Sequence, residues 1–544
     1  MAFSGVAAED SLKYGGDYHL KNLTLINHEG ERVLLAPEMV KQVSIYESIH
    51  SNSVTGTLTM QDPMNLINKM PLCGSERLAF RLVTPASTND PWELVIDASE
   101  EKGYPFHVFS LKKINLGPQD KVQSYILNFA SMDFMNNIRM RVSQAYEGPY
   151  HDTAAAILKD PMGLNTPRAF IYEPTLNKDK IVIPNLRPLD AVNMLASKSL
   201  SKNSNAVGYY FYETTKAFYF RSYESMLSLK GEYQRKEKIT VTYRPKIGKS
   251  KTEVIDGMFG VESYEFAQHF DTAANQANGT YASKIIMHNI FDKSFTRSPD
   301  SDYDYVDNFG RHFHTDTGGH GARMWNLPIS TNPVDSHGNH VGKFPESYVC
   351  LQPTTRFLHG TNSLYSGATS VADLLAIAGA SASKKTDMSD DDKKILSTLA
   401  SIGGVGSAFG VLPEMEAQLT ATKISQENQV SNSSILKIKM PGHSYLQAGD
   451  VILFKLPAVE KGKGTLRNEN LAIDEHHSGR YLVTSLRHVV QDNKHSMVLE
   501  CIKDSVYEHI PTTSTYQTST LPQDKVANIY DEDEFQIMDI QQDE

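Results

Sequence analysis

Apolar and polar residues alternate along much of this chain with the two-residue period of half-buried strands. The clearest stretch is Gly442 to Ser505. Val451–Leu456 is a short apolar run closed by Pro457. Arg480–Val490 sets Tyr481, Leu482, Val483, Leu486, Val489 and Val490 among polar residues, and Ser496–Ile502 alternates through Met497, Leu499 and Cys501. Turn residues bound these runs at Gly449-Asp450, Ser478-Gly479 and Asp492-Asn493. The pattern predicts three or four antiparallel strands joined by short turns, a small barrel or sandwich with no reaction site in it.

The N-terminal part repeats this signal. Residues up to about Tyr18 read as a flexible arm. From His19 come LKNLTLIN, a polar turn and RVLLAP, then strands over Val43–Ser48, Thr57–Asp62 and Arg77–Val83. Between the last two, Pro63–Met70 reads as one or two helical turns, with proline at the start where its missing N–H costs nothing. Phe106–Leu116 and Val122–Ala130 form a further strand pair. After Ala130 the period lengthens. Ser131–Leu158 leads into an Ala-rich helix with Asp152 as N-cap candidate. Pro188–Leu200 places Leu189, Val192, Leu195, Ala196 and Leu200 at helical spacing, leaving Asp190 and Lys198 outward. Gly208–Tyr223 is a hairpin about a Glu213–Lys216 turn. Its aromatics suit a base-stacking or sugar-binding face, or cross-strand packing, which their β-propensity favours. Lys238–Tyr243, Val261–Phe270, Lys284–Lys293 and Ile435–Met440 return to strands, with a helix candidate over Glu414–Gln429.

At 544 residues the chain needs several domains. Its formal net charge of −11 argues against a broad basic surface for nucleic acid. Cys73, Cys350 and Cys501 lie too far apart for a disulfide framework or a zinc spacing. No segment approaches the ~18 consecutive apolar residues of a membrane helix, and MAFSGVAAEDSLKYGG lacks a signal peptide's basic start and apolar stretch. The expectation is synthesis in a cytoplasm, with reduced thiols, no membrane anchoring and no cleavable export.

Candidate chemistry is sparse. Arg311–His320 carries His312, His314 and His320, with Asp316 near. A metal site there lacks assignable further ligands, and a Gly-rich exposed loop is the plainer reading. His337–His340 and His476-His477 give less. GGVGSAFG fails the dinucleotide spacing and has no Lys-Ser/Thr after it. No G-x-S-x-G, P-loop or H-E-x-x-H is present. No catalytic, cofactor-binding or metal residue is therefore assigned, and no cofactor is expected. Residues 368–416 form a distinct Ala/Gly-rich insertion with two apolar-faced helical stretches, about 371–380 and 390–402. The acidic tail at 511–544 reads as disordered, or as an arm whose Phe535, Ile537, Met538 and Ile540 dock on a partner.

Four blocks resemble the central baseplate hub proteins of contractile-tailed bacteriophages. One is the strand of Gly442, Leu446, Ala448, Gly449, Asp450, Val451 and Ile452, followed by Ser478, Gly479, Arg480, Tyr481, Leu482, Val483, Arg487 and His488. Val43–Pro85 is similar to the first tube domain of that family, Ser131–Ser222 to its α/β insertion, and Gly279–Phe295 to a further hub block. The resemblance implies an α+β, mainly β chain with two antiparallel β-barrel tube domains, an α/β insertion domain and a helical insertion. The boundaries it suggests are an arm at 1–18, a first tube domain at 19–132, the α/β insertion at 133–235, a second tube domain at 236–510 and the tail at 511–544. It implies a structural, non-enzymatic virion protein assembled in the host cytoplasm. Such a protein is a homotrimer joining the sixfold tail tube to the threefold spike, with the spike protein, tail tube proteins and baseplate wedge proteins as partners. DNA would pass through the lumen without specific binding, and the acidic chain would suit a lumen that repels phosphate. The alternative is a tail-associated peptidoglycan-degrading or glycan-binding protein.

Overall fold

A computed structural model describes residues 2–4, 15–227 with short gaps, 239–243, most of 259–304, 327–328, parts of 336–353 and 420–428, 434–457, 477–503 and 505–506. Arg311–His320, residues 368–416 and the acidic tail lie outside the described residues.

The first strand module holds β1 (Ala2–Ser4), β2 (His19–Ile26), β3 (Arg32–Leu34), β4 (Val40–Ser48), β5 (Thr55–Asp62), α1 (Leu66–Lys69), β6 (Arg77–Val83), β7 (Val95–Ala98), β8 (Phe106–Leu116) and β9 (Gln123–Ala130). The insertion follows with α2 (Met132–Arg139), β10 (Ala145–Pro149), α3 (Tyr150–Lys159), β11 (Ala169–Tyr172), β12 (Lys178–Val182), α4 (Pro188–Lys198), β13 (Tyr209–Glu213), β14 (Ala217–Ser222) and α5 (Tyr223–Leu227). Next come β15 (Ile239–Tyr243), β16 (Gly260–Val261), β17 (Ser263–Gln268), α6 (Thr272–Ala277), β18 (Ala282–Asn289), β19 (Ser294–Thr296), β20 (Asp302–Asp304), β21 (Leu327–Pro328) and β22 (Val349–Pro353). The last are β23 (Ser434–Pro441), β24 (Val451–Lys455), β25 (Gly479–Gln491), β26 (Lys494–Lys503) and β27 (Ser505–Val506).

The chain is mainly β, as the alternation predicts, and its principal element is a 16-stranded, largely antiparallel sheet among the described residues. The alternation sets which face is buried: β5 reads half-buried and buried by turns, with Leu58 and Met60 inward. The tight turn between β25 and β26 has Asp492 at φ 51° and Asn493 at φ 58°, the left-handed pair that a two-residue hairpin turn requires. Leu20, Leu58, Leu78, Phe80, Phe106, Leu127 and Phe129 centre the first module's core. Leu436, Ile438, Ile452, Phe454, Tyr481 and Leu499 centre the second module's.

Several expectations need correction. The arm at 1–18 includes β1, paired antiparallel with β2, and a Tyr18 that is 3% exposed. Asp152 is not the cap of α3: Pro149 holds that place, and Asp152 sits in the first turn, where its charge favours the helix end. The N-cap in this region is Ser131, whose hydroxyl accepts from the Phe134 N–H at the start of α2. β24 runs antiparallel to β25 and parallel to β15. The 208–223 hairpin forms as read, with Phe211 stacked on Phe218 and Tyr212 on Tyr219. These rings are buried, so they pack the sheet and offer no base-stacking face.

Candidate functional site

Eight strands pair in one path, β8–β9–β5–β4 and then β25–β26–β23–β17. The two groups of four follow the same logic. Each holds a hairpin, β8–β9 or β25–β26, whose second strand pairs an earlier strand (β5 or β23), which pairs one earlier still (β4 or β17). Their core rows correspond: Leu111, Leu127, Leu58 and Val43 lie opposite one another in the first group. Leu486, Leu499, Ile438 and Tyr264 do so in the second. The chain thus contains two like four-strand modules.

They are joined head to tail. β4, the last strand of the first module, pairs antiparallel with β25, the first strand of the second, from Gln42↔Gln491 to Ser48↔Ser485. The matching strands at the far ends are the partly open ones. Among the described residues β17 pairs only β23, and β8 pairs β6 only at His107 and Phe106, leaving its later residues paired to β9 alone.

One face of this path carries the packed cores; the other bears mostly hydroxyl and amide side chains. One row across it reads Ser110, Asn128, Thr57, Ser44, Val489, Ser496 and Pro441. The next reads Thr55, Tyr46, Arg487, Val498, Lys439 and Ser263. Glu265, Lys437, Glu500 and Ser485 continue it. Arg487 donates to the Ser44 hydroxyl and lies over the Tyr46 ring. The chain's net negative charge is not carried on this face.

The insertion is wedged behind the joint by the β13–β14 turn. On the first-module side, the Val54 N–H and the Ser131 hydroxyl donate to the Glu213 carboxylate at 2.9 and 2.7 Å. The Arg168 Nε lies 3.1 Å from Glu213 and 3.6 Å from Asp133, and its Nη1 donates to the Thr214 carbonyl at 3.0 Å. Glu47 of β4 accepts from the Thr215 N–H at 2.8 Å and from the Ala448 N–H at 3.2 Å, so it touches all three parts. On the second-module side, Lys216 donates to the carbonyls of Ser444 and Tyr445, and the Gln447 amide donates to the Tyr219 hydroxyl at 2.6 Å. Gly449, at φ +88°, faces the Tyr212 hydroxyl where a Cβ would collide.

Two carboxylates share one guanidinium here, all three residues being buried. Burial pushes the Glu213 carboxyl up to about 7, against the pull of Arg168 and with the charge of Asp133 adding to the rise. Burial also raises Asp133. Raised carboxyls suit acid–base chemistry only where a substrate can reach them. The adjoining cleft of about 290 Å³ is lined by Arg77, Glu100, Tyr104, Asn136, Asp133 and Arg168. Its charges are already paired: Arg77 and Arg32 hold Glu100, and Arg168 lies over the Tyr104 ring. The arrangement locks parts together.

Among the described residues no group of three or more His, Cys, Asp or Glu is placed to hold a metal ion, and no helix is long and apolar enough to cross a membrane. His312, His314 and His320 lie outside the described residues. His337 is exposed, and His477 packs its ring against Phe266. Sequence reasoning missed Glu47 and Arg168 and read Glu213 only as a turn residue. For Glu47 and Glu213 the only signal is a charge on the buried phase of a strand; Arg168, just before β11, carries none.

Neither a scan against family models nor a search of curated proteins finds a match. Among solved structures the chain is similar to a tail protein from Neisseria meningitidis MC58, at 10% identity over 91% of this chain and 98% of that one, TM-score 0.41. It is similar to the 43 kDa tail protein of prophage MuSo2 from Shewanella oneidensis, at 8% identity over 88% and 97%, TM-score 0.41. A third is the E. coli c3393 protein, a type VI secretion component described as structurally similar to the T4 tail proteins gp27 and gp5, at 10% identity over 88% and 77%, TM-score 0.36. These neighbours are described as tail proteins or as a type VI secretion component.

Proposed function

We propose that this chain is a structural tail protein, the trimeric central hub that joins the sixfold tail tube to the threefold spike of a phage baseplate. The observation that carries the reading is the head-to-tail joint between two like modules. A joint of that polarity leaves a matching pair of edges at the two ends of the path, and unpaired edges invite strand addition. Repeating the β4–β25 register between copies lays residues 264–268 of β17 against residues 111–115 of β8 in the next copy. Three copies then present six modules, which matches a sixfold tube on one side and a threefold spike on the other.

The added strands β2, β6, β15 and β24 and the insertion lie away from the hydroxyl-lined face. In a closed ring that bare face turns inward and lines the channel for DNA. Its rows hold Arg487, Lys437 and Lys439 against Glu500 and Glu265, so the lumen is neutral-polar to weakly basic, and the expected acidic lumen is revised. Few fixed charges make for weak, salt-sensitive phosphate contacts, which suits passage without specific binding.

Light scattering on the purified chain, alone and with the spike protein, tests this. Three copies are expected, and Phe266→Pro in β17, which removes a donor on the edge away from β23, should give a monomer that keeps the β25–β26 hairpin's exchange protection. A wild-type chain that stays monomeric with the spike present overturns the reading. Turbidity loss of purified cell walls would favour the lytic alternative.

A further inference from the structure

Three imidazoles lie in the second module with almost no exposure: His443 at 0%, His488 at 1% and His495 at 0%. His488 Nδ1 and His495 Nε2 are 3.1 Å apart. The other nitrogen of His495, Nδ1, and both nitrogens of His443 meet no hydrogen-bonding group. Such a cluster is costly unless it does something, because buried polar atoms are normally satisfied.

Its position spans the joint. His488 is the β25 residue opposite Ile45 of β4, two residues along from the Leu486–Glu47 pair. His495 is the second residue of β26; its N–H donates to the Gly16 carbonyl at 3.0 Å, and its ring stands edge-on to Tyr18, so it holds the approach to β2. His443 follows β23 and faces Phe259 and Tyr445. The ionisable groups facing the cluster are Tyr18 from the first module, Tyr445 from the β23–β24 connection, and Lys216 from the β13–β14 turn. Lys216 carries the same sign as an imidazolium would. A proton taken up here meets like charge and no acceptor.

We propose that this cluster makes the joint between the two modules acid-labile: protonation opens the β4–β25 seam and frees the Gly16–Tyr18 stretch while the β5–β9 pairing holds. Burial pushes His443 and His495 down to about 3 and His488 well below its ordinary value, with the charges of His495 and Lys216 adding to the fall in His443 and His488. The folded form therefore keeps these rings neutral, and the opened form accepts protons at the ordinary value of about 6.5. Stability of the joint is whole above that value and is lost as pH falls below it, tenfold per pH unit for each proton taken up. The device acts inside one chain and does not need the ring.

Hydrogen exchange on the full chain between pH 7.5 and 5, corrected for intrinsic rates, tests it. Protection over 43–48 and 485–490 should fall at least tenfold per unit below about 6.5, while 57–60 and 125–129 change far less. His443→Met should lower that slope by one proton. If that variant does not fold, the histidine ring resonances of the wild-type chain decide: none of the three should titrate above pH 5. Equal loss of protection in both regions, or ordinary titration of these rings, overturns the proposal.

Discussion

Replacing Arg168 by Leu probes the wedge at its most charged point. The guanidinium is 4% exposed and stands between Asp133 and Glu213 while bonding the Thr214 carbonyl. Removing it leaves two buried carboxyls with no cation, and breaking a buried pair in this way costs about 3–5 kcal/mol. At neutral pH the orphaned carboxyls escape ionisation only by taking up protons, which costs about 1.4 kcal/mol per pH unit above their ordinary values. The loss should therefore shrink as pH falls from 7.5 to 5.5, which mere loss of packing would not do. A chain with several modules does not unfold in one step, so the measurement must be local. Hydrogen exchange at the Val54 and Thr215 amides reads the junction directly, since both donate into it. About 3–5 kcal/mol corresponds to exchange faster by roughly a hundredfold to several thousandfold at pH 7.5. A change under tenfold, or one that does not depend on pH, would refute the account of the cluster as a lock held by its cation.

Two further outcomes follow from the same region. With its folded value raised to about 7 from an ordinary 4.5, Glu213 contributes stability that is present below 4.5 and lost as pH rises to 7. Glu213→Gln, which mimics the protonated form, should flatten exchange at Val54 across that window and leave the junction at least as stable at pH 8. Gly449→Ala puts a side chain at φ +88° against the Tyr212 hydroxyl. It should cost about 1–3 kcal/mol, read as faster hydrogen exchange at the Ala448 amide, and Tyr212→Phe should restore only the part due to the clash.

The strands were legible because each buries one face, and period-two alternation is the direct record of that. β5, β9, β25 and β26 fall where Leu58, Leu127, Leu486 and Leu499 mark the inward phase. The seam was not legible. Val43 and Val490 meet across 447 positions of chain, and nothing local to either names the other. β7 and β10 escaped notice because strands of four and five residues are too short to display a period. The 208–223 hairpin was read correctly as packed aromatics. Its turn as the fastening point of three parts was not, because Glu213 and Lys216 look like ordinary turn residues until Glu47, Gln447 and Arg168 are brought beside them.

A seam whose two sides are different surfaces has no built-in stop. A two-fold contact consumes its own surface, whereas this one always exposes a fresh end, so the angle turned at each step alone separates a closed circle from an endless helix. In the proposed ring every second joint lies within a chain, and there Glu47 ties the Thr215 and Ala448 amides together. A change at this one carboxylate, far from any contact between copies, is thus a change in the pitch of whatever polymer the chain would build.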